Sequence, residues 1–298
     1  MGQGDGRDAG RETGRHAKRD AGHDAGHDAG HDAGHDAGHD AGNETRHDAE
    51  ILTLAGFGAV HGFTTRAGGV SDGPFASRNL GLSSGDDPAA VEANRTQLLS
   101  VLGFAKERVC AFHQVHGTRV LLAEPGWFEE EADAAVTDDP ELLLVVSGAD
   151  CLPLLFHDPV RGAVGAAHAG WRGTAAAIAT RVVEAMAGHF GSRPADLRVA
   201  IGPGILGDCY QVGPEVVAVF TEAGFPANMA RPDAHAGRYL LDLVTANRTV
   251  LEGAGVPPDQ IRGLGRCTHC EPETFYSHRR DQGRTGRHWA FVALPRRS

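Results

Sequence analysis

Residues 142–190 read LLLVVSGADCLPLLFHDPVRGAVGAAHAGWRGTAAAIATRVVEAMAGHF. Two unbroken apolar runs, Leu142–Val146 and Leu152–Phe156, are too short for helices and predict strands buried on both faces. The Gly/Ala-rich Gly162–His168 predicts a third. The period then changes, with Ile178, Val182, Met186 and Phe190 on one helical stripe, which predicts a long helix from Thr174 to about Phe190. Working outward, Ala59 to Thr65 alternates like a strand, and Gly68-Gly69 and Asp72-Gly73 mark turns. Asp87 followed by Pro88 reads as a helix cap and first position, and Gly103 as the stop. Further strands are expected at Val109–Phe112, Thr118–Ala123, Arg198–Ile201 and His288–Leu294, and further helices at Pro214–Ala223 and Leu241–Ala254. Strands and helices interleave irregularly, so the expectation is α+β, that is, a mixed α/β fold, in a single domain over residues 51–298.

Residues 1–50 read differently. From Asp20 to Gly42 the sequence repeats Asp-Ala-Gly-His with a period of four. A glycine in every repeat opposes a helix and no apolar stripe offsets it, so a disordered His/Asp/Gly-rich tail is expected. The tail holds 12 acids and 6 bases, against 27 and 22 in the rest, within a net charge of −11 for the 298 residues. That balance argues against nucleic-acid or anionic-membrane partners. No run approaches the length of a membrane helix, there is no apolar secretory leader, and five cysteines make no disulfide framework. A cytoplasmic location is the expectation.

Metal-capable side chains fall at three predicted strand ends: His113 and His116, then Asp150 and Cys151, then His168. Such junctions hold a side chain rigidly yet leave it open to a cleft. Two imidazoles and a thiolate suit zinc and leave a fourth position for water. Singly, each residue has a blander reading, as a small core thiol or a hydrogen-bonded histidine. Their spacing does not show that they meet. Cys267-Thr268-His269-Cys270 is half of a structural zinc site with no second CxxC to complete it, and reads as a reduced pair. Ile201–Ile205 lacks the lysine and spacing of a phosphate loop. Arg279, Arg280, Arg284 and Arg287 crowd nine residues of an acidic chain, either as a solvated loop or as an anion cradle that Arg172 could join.

Taken together, several collinear segments resemble the YfiH family. They are His61–Gly69, Asn79-Leu80-Gly81, Gln114-Val115-His116-Gly117, Ala149–Pro153, His168–Gly173, Ile201-Gly202-Pro203, Tyr210–Gly213 and Ser277–Asp281 through Thr285-Gly286-Arg287. The family was once called multicopper polyphenol oxidases or laccases and is now described as purine nucleoside phosphorylases with adenosine deaminase activity. The resemblance covers about residues 55–295. It implies an α/β/β/α layered sandwich with mixed sheets, and a metal held by His116, Cys151 and His168. His113 matches no ligand and is expected behind the site or in the core. His278 stands where an aromatic is common.

The resemblance also implies the chemistry: zinc-dependent phosphorolysis of inosine, adenosine or methylthioadenosine, and deamination of adenosine at C6. Cys151, His168 and Asp150 are the expected catalytic residues, and Arg66, Arg172, Arg279 and Arg280 the expected substrate-binding ones. The partners are purine nucleosides and phosphate. The cofactor is Zn2+, with copper able to enter in vitro. A true four-copper oxidase is excluded, because the body has ten histidines and no His-x-His pair. Two rivals are an amide hydrolase that edits peptidoglycan precursors at the same site, and a binding protein whose zinc only holds the fold. The last would need a fourth protein ligand, for which Cys209 is the candidate.

Overall fold

The computed structural model describes residues 44–47 and 51–295. In chain order they form β1 (Glu44–His47), β2 (Ile51–Leu54), β3 (Val60–Thr64) and α1 (Pro88–Leu102). Next come β4 (Val109–His113), β5 (Val120–Leu122), β6 (Gly126–Glu131) and β7 (Ala134–Thr137). The quoted stretch supplies β8 (Leu143–Gly148), β9 (Leu152–Asp158), β10 (Ala163–Ala169), α2 (Trp171–Ala175) and α3 (Ile178–Phe190). Then follow β11 (Arg198–Ile201), β12 (Gln211–Val212), α4 (Pro214–Glu222), β13 (Ala230–Pro232) and β14 (Tyr239–Leu241). The order closes with α5 (Leu243–Gly253), β15 (Ile261–Gly263) and β16 (His288–Ala293).

Two mixed sheets lie face to face, in the orders β1-β2-β3-β16-β8-β4-β6 and β15-β11-β9-β10-β7-β5. The apolar runs are continuous because both faces of the central strands are covered. In β8, Leu144 and Val146 enter the core between the sheets with Leu155, Val164, Ala166 and Val292. Leu143 and Val145 point the other way, against Leu98 and Leu99 of α1. In β9, Leu154 and Phe156 turn outward to Ile178, Val182 and Met186 of α3 and to Leu251 of α5. The layers are therefore α, β, β, α, as the resemblance implied. A short third sheet, β12-β14-β13, is too brief to show a pattern.

The helix signals of α1 are realised atom by atom. Asp87 accepts the Ala89 N–H at 3.0 Å, and Gly103 closes the helix at φ 72°. The long helix expected from Thr174 is instead two, because Ala177 takes φ 57° between α2 and α3. Asn247 of α5 donates to the Thr174 hydroxyl at 3.0 Å, so tertiary bonding aims α2 apart from α3 where alanine propensity alone favours continuity. Glu44–His47 pairs antiparallel with Ile51–Leu54, as an edge strand of polar residues that carries no apolar signature. The repeats before it lie outside the described residues.

Candidate active site

Two loops and the end of a strand converge at one end of the paired sheets. His116 follows β4, Cys151 ends the turn between β8 and β9, and His168 lies near the end of β10, whose inward face it shares with Val164 and Ala166. One ligand atom from each of His116, Cys151 and His168 lies within 4.8 Å of the other two. The His116 and His168 rings meet nearly edge to face, with centroids 4.8 Å apart. His116 is exposed to the cleft, Cys151 half-buried and His168 buried.

The organiser of this cluster is Asp133, which sequence reasoning missed. Its carboxylate is wholly buried and accepts from His168 Nδ1 at 2.9 Å. It also accepts the backbone N–H groups of Val115, His116 and Gly117, at 3.2, 3.0 and 2.5 Å. Those bonds hold His116 at φ 62°, a left-handed conformation that a bare side chain disfavours. Burial alone would raise the Asp133 pKa, but hydrogen bonds from His168, Gly117 and His116 hold it below the usual carboxylate range. With Nδ1 donating to this carboxylate, His168 keeps Nε2 for a ligand. The only hint in the sequence is a single acid inside an otherwise small and apolar run, Ala132-Asp133-Ala134-Ala135-Val136.

The thiol and the imidazoles tune one another. Burial alone would push Cys151 up, but His168 and His116 bring it down to about 6. Burial likewise disfavours a charged His168, yet the Cys151 sulfur and the Asp133 carboxylate raise it to about 9. A thiolate beside two imidazoles, one braced by a buried carboxylate, is a zinc-type donor set. The packing leaves room for it at Gly170. A Cβ there would lie 3.0 Å from Cys151 Sγ and 3.1 Å from His116 Cδ2. Gly170→Ala should therefore weaken any metal binding at this cluster by about tenfold, from the roughly 1–3 kcal/mol that such overpacking costs. Competition with a chromogenic chelator measures it, and wild-type affinity in the variant would refute this account of the glycine.

The cluster forms one wall of a cleft of about 760 Å³, a volume typical of small-molecule sites. Arg95, Arg172, Arg279 and Arg287 line it, together with Trp171, Tyr210 and His113. His113 is exposed on this wall, neither behind the site nor in the core. Arg172 lies over the Trp171 ring at 4.3 Å and Arg279 over Tyr210 at 5.2 Å. Burial pushes the Tyr210 hydroxyl up to about 12, so it stays a neutral donor.

Two expected substrate arginines do not line the cleft. Arg66 donates to the carbonyls of Ala76 and Pro272 at 2.8 and 2.7 Å. Arg280 donates to the carbonyls of Thr268 and Phe275 and to Asp281, so its fork pins a loop. Arg287 takes the place of Arg280; it belongs to the same basic cluster but only the fold distinguishes them. Asp150, expected in catalysis, accepts the Thr268 hydroxyl at 2.6 Å on one oxygen and the Arg279 N–H at 2.7 Å on the other. Held at φ 97°, it fastens two loops together beside Cys151. Cys209 lies against Cys270, at a Sγ–Sγ distance of 3.0 Å, and belongs to a different cluster from Cys151.

Fold and site together define a layered α/β domain with a His–Cys–His cleft at the end of its two sheets. The model of the family described as multi-copper polyphenol oxidoreductase laccase matches residues 60–295, and the chain belongs to that family. It is 49% identical over 238 residues to the purine nucleoside phosphorylase of Deinococcus radiodurans, a match covering 80% of this chain and 90% of that one. It is 38% identical over 232 residues to the purine nucleoside phosphorylase YfiH of Escherichia coli, over 78% of this chain and 92% of that one. The crystal structure of the Bacillus licheniformis hypothetical protein YfiH superposes with a TM-score of 0.80 at 35% identity. That match covers 85% of this chain and 99% of the other. Among the described residues no helix is long and apolar enough to cross a membrane.

Proposed function

We propose that this protein is a zinc-dependent purine nucleoside phosphorylase acting on inosine, adenosine and methylthioadenosine, with adenosine deamination as a second activity of the same cleft. The observation that carries the reading is the convergence of His116, Cys151 and His168 on one cleft wall with arginines along the same cleft. The names of the relatives supply the substrate class. His116, Cys151 and His168 would hold the zinc, which supplies a Lewis acid at the cleft wall. In phosphorolysis the C1′–N9 bond breaks as a phosphate oxygen bonds to C1′, and the purine leaves with the electron pair and takes up a proton. Arg172, Arg279 and Arg287 hold the phosphate oxygens, since guanidinium forks match them. Trp171 and Tyr210 offer flat faces to the base. Asp133 fixes His168 and the His116 loop, and Asp150 keeps the Arg279 backbone against the cleft. Incubating zinc-replete protein with inosine or adenosine, with and without phosphate, tests the reading. Ribose 1-phosphate and free base should form only with phosphate, and their absence would refute it.

The arginine assignment separates cleanly. Arg279→Ala should raise the KM for phosphate about tenfold or more while changing that for inosine little, because it removes a charge-assisted contact to the anion. Arg280→Ala should lower the melting temperature and affect both substrates alike, because it frees the carbonyls of Thr268 and Phe275. Steady-state kinetics with each substrate varied decide it. A selective phosphate defect in Arg280→Ala alone would reverse the assignment.

One observation favours a second reading. A Cys151 thiolate paired with a His168 imidazolium is also the equipment of a nucleophilic cysteine, as in amide hydrolysis of a peptidoglycan precursor.

A further inference from the structure

The motif Cys267-Thr268-His269-Cys270 is half of a zinc site by sequence, and the fold brings in another thiol from 58 residues earlier. Cys209 Sγ lies 3.0 Å from Cys270 Sγ, and one ring nitrogen of His269 lies within 4.8 Å of both. The buried Cys267 thiol interacts with both Cys209 and Cys270, but it falls outside the cluster of Cys209, His269 and Cys270, whose ligand atoms all lie within 4.8 Å of one another. Neither segment is free to drift. Gly204 and Cys267 form a parallel bridge, and Thr268 N–H donates to the Gly204 carbonyl at 3.0 Å. Glu271 receives the Cys267 N–H on its carboxylate and returns its own N–H to the Cys267 carbonyl. The Cys209 N–H is tied to the Leu206 carbonyl at 2.9 Å.

We propose that Cys209, His269 and Cys270 form a second metal site, which the neighbouring Cys267 thiol moves in to close as a zinc site of three thiolates and one imidazole, and that it fastens the loop carrying Thr268. Four protein ligands of these types fill a tetrahedral shell, which is the mark of a structural zinc. A disulfide would use two of the three thiols and leave the third, with the histidine, unexplained. Without a cation the crowding of thiols is unfavourable. Burial and the neighbouring sulfurs push the Cys209 thiol up, and Cys270 is raised as well. Cys270 is exposed, so an ion has a route in. The site also connects to the cleft. Thr268 donates to Asp150 at 2.6 Å, and Arg280 holds the Thr268 carbonyl at 2.6 Å, so the loop braces the residue next to Cys151.

This proposal does not rest on the reaction at the cleft, and its test does not read that reaction. The full-length protein is stripped with a chelator under reducing conditions and then labelled with iodoacetamide, with and without one to two equivalents of zinc. Peptide mass spectrometry follows Cys270 and Cys209 individually, so zinc loosely held by the histidine repeats does not enter. Zinc should slow the labelling of Cys270 at least about tenfold. Equal rates with and without zinc would overturn the site. In a second measurement, Cys270→Ser, a substitution at an exposed position, should carry one zinc per chain fewer than wild type by elemental analysis. An unchanged zinc content, or a Cys209–Cys270 disulfide persisting in zinc-treated protein under reducing conditions, would also overturn it.

Discussion

On the proposed zinc phosphorylase reading, Cys151→Ser should lose the cleft zinc and nucleoside phosphorolysis together. Serine replaces a soft thiolate by a hydroxyl that does not ionise at neutral pH, and His116 with His168 alone hold zinc poorly. The loss of a Lewis acid worth several kcal/mol in the transition state should lower kcat/KM by roughly three orders of magnitude. The two readings of the cleft part here. A ligand thiolate predicts zinc loss and activity loss in proportion, with a small recovery on added zinc. A nucleophilic thiolate beside a dispensable metal predicts wild-type zinc with intact inosine cleavage and abolished amide hydrolysis. Elemental analysis beside inosine turnover decides between them, and the second pattern would overturn the zinc assignment.

Asp133→Ala should be the most damaging single change to the site's architecture. It leaves three backbone N–H groups and His168 Nδ1 without their acceptor inside a buried pocket. Removing one partner of a buried charged network costs about 3–5 kcal/mol, which should appear as a much lower melting temperature. Zinc affinity should fall about 10–100-fold, since His168 loses the partner that orients it. Asp133→Asn, which keeps the volume and one acceptor oxygen, should lose less stability than alanine. The same carboxylate gives a pH dependence of defined sign. Its folded pKa lies below its unfolded value, so its contribution is complete above about pH 4 and is lost as pH falls through the lower folded value. The alanine variant should therefore lack part of the wild type's acid-unfolding transition in that range. Chemical denaturation at several pH values measures this, and parallel curves for wild type and variant would refute it.

The local elements were legible because their signals are local. Asp87, Pro88 and Gly103 bound α1 through groups within four residues of one another, and the runs in β8 and β9 are apolar because both faces are covered. Where the reading went astray, a distant partner had intervened. Asn247 binds Thr174 across 73 residues and aims α2 away from α3.

The sequence by itself determined a mixed α/β domain, metal-capable side chains at three strand ends, and the absence of the His-x-His pairs that a four-copper oxidase needs. Hydrophobic period, turn residues and ligand supply are properties of short segments, so they survive without coordinates. Only the tertiary structure decided which side chains meet. Arg280 and Arg287 are alike in composition and both donate to backbone carbonyls, yet only Arg287 of the two lines the cleft. Asp133 matters because it lies within reach of His168, 35 residues away. Cys209 joins Cys270 across 61 residues and not Cys151 across 58. Hydrogen bonds and coordination act over about 3 Å, and the sheet order that brings distant residues within that range is written in no single stretch of the chain.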